Sequence, residues 1–193
     1  MEDIKQSLAA ARAKNRLNNW VAVSVAILSA FMAVTKVKDD NIVQAMLQAK
    51  SDAVDSWSEY QSKRIKQHLA ELGLKQAQLL QTTVSAKGEA LLAGQVREYQ
   101  ATIDRYTQEE EALKKKARDF EAQYDSLNYR DDQFDLSDAA LSVTLALLAV
   151  TALTGERRLF AFSWIFAGFG IVMGLAGLLG LHLHPDWLTK LLS

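Results

Sequence analysis

From Leu92 to Leu127 the large side chains recur at steps that alternate between four and three residues: Leu92, Val96, Tyr99, Ile103, Tyr106, Glu110, Leu113, Ala117, Phe120, Tyr124 and Leu127. About five heptads of such a seam make a helix that must bury one stripe against a second helix. Glu110 alone interrupts the apolar series. The remainder of the chain can be placed around this helix.

A hydrophobic fraction of 49% with a net charge of −1 resembles an ordinary soluble domain, but the apolar residues lie in blocks and the charges between them. The first block is Trp20–Val34, extendable to Leu17 and Val37. The second runs from Leu136 to Leu153 and the third from Leu159 to Leu183. Each approaches the roughly 20 apolar residues that a bilayer core requires. A cleavable signal peptide is the rival reading of the first block, but Thr35-Lys36-Val37-Lys38 is a poor cleavage context and favours a retained anchor. Proline occurs once, at Pro185, and the chain is rich in Ala, Leu, Gln, Lys and Glu, so helix is expected nearly throughout.

The expected fold is an all-α integral membrane protein. Three transmembrane helices occupy 17–37, 136–154 and 159–183, with a long antiparallel coiled-coil hairpin at 39–135 between the first two. A basic tail (1–19) precedes these elements, and an interfacial tail (184–193) follows. Asp39, Asp40 and Asn41 carry the side-chain oxygens that start helices. The first arm's apolar positions, Ile42 to Tyr60, shift phase to Ile65, Leu69, Leu72 and Leu79, a stripe wider than one neighbour covers. Weak helix formers from Thr82 to Gly88 place the tip near 82–94, centred on Gly88. That register sets Lys66 opposite Glu110, Arg64 near Glu111 and Glu71 opposite Arg105. The heptad phase continues through Phe134, Leu141, Leu145 and Leu148, which implies one helix from the hairpin into the second span.

Lys5, Arg12, Lys14 and Arg16 in the N-terminal tail, with Arg157 and Arg158 between the second and third spans, favour the cytoplasmic side. The hairpin is then expected to be periplasmic, in a bacterial inner membrane.

Motifs for chemistry are missing. With no cysteine there is no thiolate, and there is no glycine-rich phosphate loop, nucleophile elbow or His-Glu-x-x-His pattern. The spans hold no interior charge of the kind that ion and proton pathways use. His182 and His184 point to different faces of a helix and lack a third ligand, and His68 sits alone on a charged arm. The expectation is no enzyme, no cofactor, no metal, no nucleic acid and no small-molecule substrate. Candidate interface residues are Trp57, Tyr60, Gln61, Lys63 and Lys66 on the first arm, and Gly170, Gly174 and Gly177 in the third span. Gly170-x-x-x-Gly174 lets helix backbones approach closely, either within the chain or between subunits. Trp57 and Tyr60 either pack near Ala117 and Phe120 or join an interface.

The run from Ala49 to Leu69, with Ser51-Asp52, Trp57, Tyr60-Gln61, Lys63 and Ile65-Lys66, resembles the bacterial membrane proteins of the domain of unknown function 4337 family. Asp131-Asp132-Gln133-Phe134 and Leu153-Thr154-Gly155-Glu156-Arg157-Arg158 match that family's layout as well. Glu59, where the family pattern has an aromatic or small residue, and a longer C-terminal tail depart from it. The resemblance implies a topology and no activity. The expected role is structural or interactive: a homo-oligomer in membrane lipid with a coiled-coil stalk. The alternatives are a channel or transport accessory with a pore on the oligomer axis, and a lipid-binding or envelope-stress factor.

Overall fold

A computed structural model describes residues 2–83, 85–181 and 183. Three helices account for nearly all of them: α1 (Glu2–Gln81), α2 (Ala86–Thr154) and α3 (Arg157–Leu179). The two long helices, α1 and α2, pack against each other, and each of the three contains a stretch long and apolar enough to cross a membrane. The chain divides into two compact units, Met1–Ala45 with Ser126–Ser193, and Met46–Asp125.

In the first unit, segments of all three helices surround a core of Val21, Leu28, Leu141, Leu148 and Ala167. Unlike a water-soluble bundle, this unit is apolar on its exterior and carries several hydroxyls inside. Ser24, Ser137, Thr144, Thr151 and Ser163 are buried, while Trp20, Ile27, Val34, Val37, Ile165 and Leu179 are exposed. The hydroxyls of Thr144, Thr151 and Ser163 donate to carbonyls about one turn back, as in Thr144 Oγ1 to the Ala140 carbonyl at 2.8 Å and Thr151 Oγ1 to the Leu147 carbonyl at 2.8 Å, while Ser137 reaches across to α3. Gly155, at φ 73°, makes the sharp connection between α2 and α3 that a side chain would strain, and its N–H donates to the Thr151 carbonyl.

No helix starts at Asp39–Asn41. α1 runs straight through these residues, and Asp39 is turned inward against Lys36 rather than acting as a cap. Capping residues start a helix only where no preceding turn already supplies the carbonyls, and here the apolar run before them is helical itself. The tail expected at 184–193, with His184, lies outside the described residues, as does His182.

The second unit is an antiparallel pair made of Met46–Gln81 from α1 and Ala86–Asp125 from α2. The reversal falls at 82–85: the Thr82 and Thr83 N–H groups close the last turn of α1 on the carbonyls of Leu79 and Leu80. The Ser85 carbonyl accepts from Gly88 and Glu89, so Gly88 belongs to the first turn of α2 rather than to the tip. Every seam position from Leu92 to Tyr124 is at least partly withdrawn from solvent, and Ala117 is fully buried.

On α1 the side facing α2 differs from the sequence expectation. Met46, Ala49, Ala53, Ser56, Ala70 and Ala77 are buried, while Tyr60, Lys63, Gln67 and Leu74 are partly covered, again in steps of three and four. Small residues win this face because the α2 seam carries bulky rings, and two helices close up when large side chains meet small ones. The ring of Tyr99 stands over Gly73. The expected ion pairs are therefore replaced. Lys63 Nζ reaches Glu109 Oε2 at 2.6 Å and Gln67 Nε2 donates to Thr107 Oγ1 at 2.8 Å. Arg64 donates to the Tyr60 hydroxyl, and Glu71 pairs with His68 on its own helix.

Ile65, Leu69, Leu72 and Leu79 are left on the opposite side of α1, exposed by 62%, 62%, 56% and 71%. Leaving a side chain of this size in water forgoes about 1.5–3 kcal/mol each relative to burial.

Candidate functional site: a polar layer at the end of α3

One set of polar groups in the first unit lies where α2 passes the C-terminal end of α3. A helix end leaves its last carbonyls without intrahelical partners. Gly180 takes a left-handed conformation (φ 66°) and its N–H returns to the Ala176 carbonyl. Two side chains of α2 add donors at this end, one to α3 itself and one to the residues just beyond it. Arg130 donates to the Gly177 carbonyl from Nε and a terminal nitrogen, at 3.2 and 2.9 Å. Gln133 is fully buried, and its Nε2 donates to the carbonyls of Leu181 and Leu183, both at 2.7 Å.

Beneath this layer the helices touch through glycine. A Cβ on Gly177 would lie 2.9 Å from the Phe134 ring, and one on Gly174 would lie 2.7 Å from Ser137 Oγ and 2.8 Å from Phe31. On Gly170 it would meet Leu141 Cγ at 2.8 Å. The three candidate glycines thus form one face, filled from within the chain by α1 and α2. That leaves them no surface for a second copy.

Next to this layer lies a group of carboxylates. The Asp39 side chain, 5% exposed, is held by Lys36 Nζ at 2.8 Å through Oδ2, whereas its Oδ1 has no hydrogen-bond partner. Burial pushes the Asp131 carboxyl up to about 7, reinforced by hydrogen bonding with Asp39 and by the like charges of Asp135, Asp39 and Asp132. A proton on Asp131 supplies the donor that a second bare carboxylate could not. Among the described residues no group of three or more His, Asp or Glu side chains is arranged to hold a metal ion.

The first-arm candidates do not form a single patch. Trp57 donates from Nε1 to Glu121 Oε1 at 2.8 Å and meets Tyr60 edge to face, with centroids 5.5 Å apart. Trp57 thus reaches Glu121, one residue beyond the expected Ala117–Phe120 site. Beside it lies an open groove of about 250 Å³ between Lys50, Trp57, Glu121 and Tyr124. Lys63 is engaged with Glu109, which raises its pKa and lowers that of the carboxylate, and it also lies over the Tyr106 ring. Gln61 and Lys66 are exposed.

The family model for the domain of unknown function DUF4337 matches residues 17–180. The chain belongs to this family. The match takes in α1 from residue 17 onward, all of α2 and α3, and the capping residues Arg130 and Gln133. No curated protein and no solved structure matches the chain.

Two of the sequence patterns that match the family's layout now have physical roles. Gln133-Phe134 ties α2 to the end of α3, and Thr154-Gly155-Glu156 makes the α2–α3 connection. Arg130 and Gln133 were not singled out as functional from sequence. The signal was their position, in a polar run that a span immediately follows.

Proposed function

We propose that this DUF4337 chain is a non-enzymatic, homo-oligomeric membrane protein of structural or interaction type, with three spans and a helical hairpin between the first two. The observation that carries the reading is the apolar exterior of the first unit, where Trp, Ile, Val and Leu are exposed. Water would penalise that exterior, whereas hydrocarbon would not. The basic N-terminal tail and Arg157-Arg158 support a cytoplasmic side for these two segments, with the hairpin on the opposite side of a bacterial inner membrane. Self-association is supported by the α1 arm, which is apolar on two opposite faces while α2 covers one of them.

Two measurements test this. The full-length chain resists extraction from membranes by alkaline carbonate, and release into the soluble fraction overturns the membrane reading. In detergent it runs as a multimer on chemical cross-linking, and monomer alone overturns self-association.

A further inference from the structure

We infer that the outer face of α1, centred on Leu72, is the seam along which a second copy of this chain docks, with the two α1 helices parallel. The inference rests on the proposed self-association and specifies its surface.

Ile65, Leu69, Leu72, Gln76 and Leu79 follow one another at steps of four, three, four and three, and all five are exposed. They lie half a helical turn from Lys63, Gln67, Ala70 and Ala77, which face α2, so α2 cannot reach them. Four of the five are Leu or Ile, and a heptad period of that kind selects another helix with the same period, whose holes accept its knobs.

The polar member and the flanking charges choose the direction. Leu69 and Gln76 precede Leu72 and Leu79 by three residues, so they occupy the a positions of two heptads. In a parallel pair like positions face each other, and Gln76 meets Gln76, whose amides can donate and accept across the seam. Each residue before an a position then meets the residue five further on in its partner, which joins Gln61 with Lys66, His68 with Gly73 and Lys75 with Leu80. No like charges meet. An antiparallel pair over this segment would instead set Gln76 against Ile65 and His68 against Lys75, both basic. An amide facing an aliphatic side chain has no partner there, which adds a desolvation cost. Copies that share one membrane topology also run parallel.

The chain has no cysteine, so single introduced cysteines report neighbours cleanly. Oxidative cross-linking in nanodiscs of the full-length variants Ile65→Cys, Leu72→Cys and Leu79→Cys is expected to give disulfide dimers from each. Ala112→Cys, exposed on α2, serves as the control and gives none. Leu69→Lys weakens self-association at least about tenfold, since it places facing ammonium groups in an apolar seam, and leaves helical content unchanged. Dimers that form only when Ile65→Cys is mixed with Gln76→Cys, and from none of the three single variants, indicate an antiparallel pair and overturn the assigned direction. Oligomers by native mass spectrometry with no cross-link in any of these samples, the mixed one included, overturn the seam and leave self-association standing. Monomers alone overturn both.

Discussion

The hydroxyl of Ser137 on α2 donates to the backbone carbonyl of Gly170 on α3 at 2.8 Å, a contact that only a residue without a Cβ at position 170 permits. Gly170→Ala places a methyl 2.8 Å from Leu141 Cγ and 3.1 Å from the Ser137 carbonyl, so the helices must part. Overpacking of this kind costs about 1–3 kcal/mol. Gly168→Ala, with nothing within 4 Å of the new atom, is the control. It is neutral or stabilises by up to about 1 kcal/mol through helix propensity. Unfolding titrations of both variants in mixed micelles check the difference.

Gln133→Leu keeps volume and removes both donors to the Leu181 and Leu183 carbonyls. Losing the two part-buried hydrogen bonds costs about 0.5–1.5 kcal/mol each. The loss is expected to be local first, appearing as faster hydrogen exchange at the end of α3 before any change in the rest of the first unit.

How much of this was legible in the sequence depends on what each residue needed. The α2 seam was readable because Tyr99, Tyr106 and Phe120 are large and regularly spaced, and their burial follows from periodicity alone. The α1 side misled for a converse reason. Ile65, Leu69 and Leu72 are the most hydrophobic residues of that arm, yet the inward face goes to Ala53, Ala70 and Ala77, whose merit is being small opposite rings. Pattern reading ranks residues by apolarity and cannot see a size match across two helices. The glycines Gly170, Gly174 and Gly177 were identified as a close-packing face, but their partners Leu141, Ser137, Phe31 and Phe134 come from two other helices. Arg130 and Gln133 could not be assigned before the end of α3 was placed beside them.

The Asp131 carboxyl makes stability depend on pH. Its value in the folded chain is raised from 3.8 to about 7, so the folded state holds its proton more tightly than the unfolded one. The resulting stabilisation is fully present below 3.8, declines as pH rises and is gone above about 7. Thermal unfolding by circular dichroism between about pH 4 and 8 is expected to show a falling midpoint for the wild-type chain. Asp131→Asn flattens that decline, and an unchanged slope in this variant contradicts the assignment.

In the hairpin, Ala117→Phe inserts a ring at a fully buried seam position, whereas Ala112→Phe adds one at an exposed site on the same helix. The first is expected to destabilise by about 1–3 kcal/mol and the second by less than about 0.5 kcal/mol. Chemical denaturation of the full chain, followed by circular dichroism, separates them.

Self-association of the membrane-embedded chain is tested most directly by native mass spectrometry of full-length protein released from nanodiscs. The account predicts assemblies at integral multiples of the 21.4 kDa chain that Leu69→Lys shifts toward the single-chain mass. A wild-type spectrum containing only the 21.4 kDa species, at every protein-to-lipid ratio tried, would contradict it.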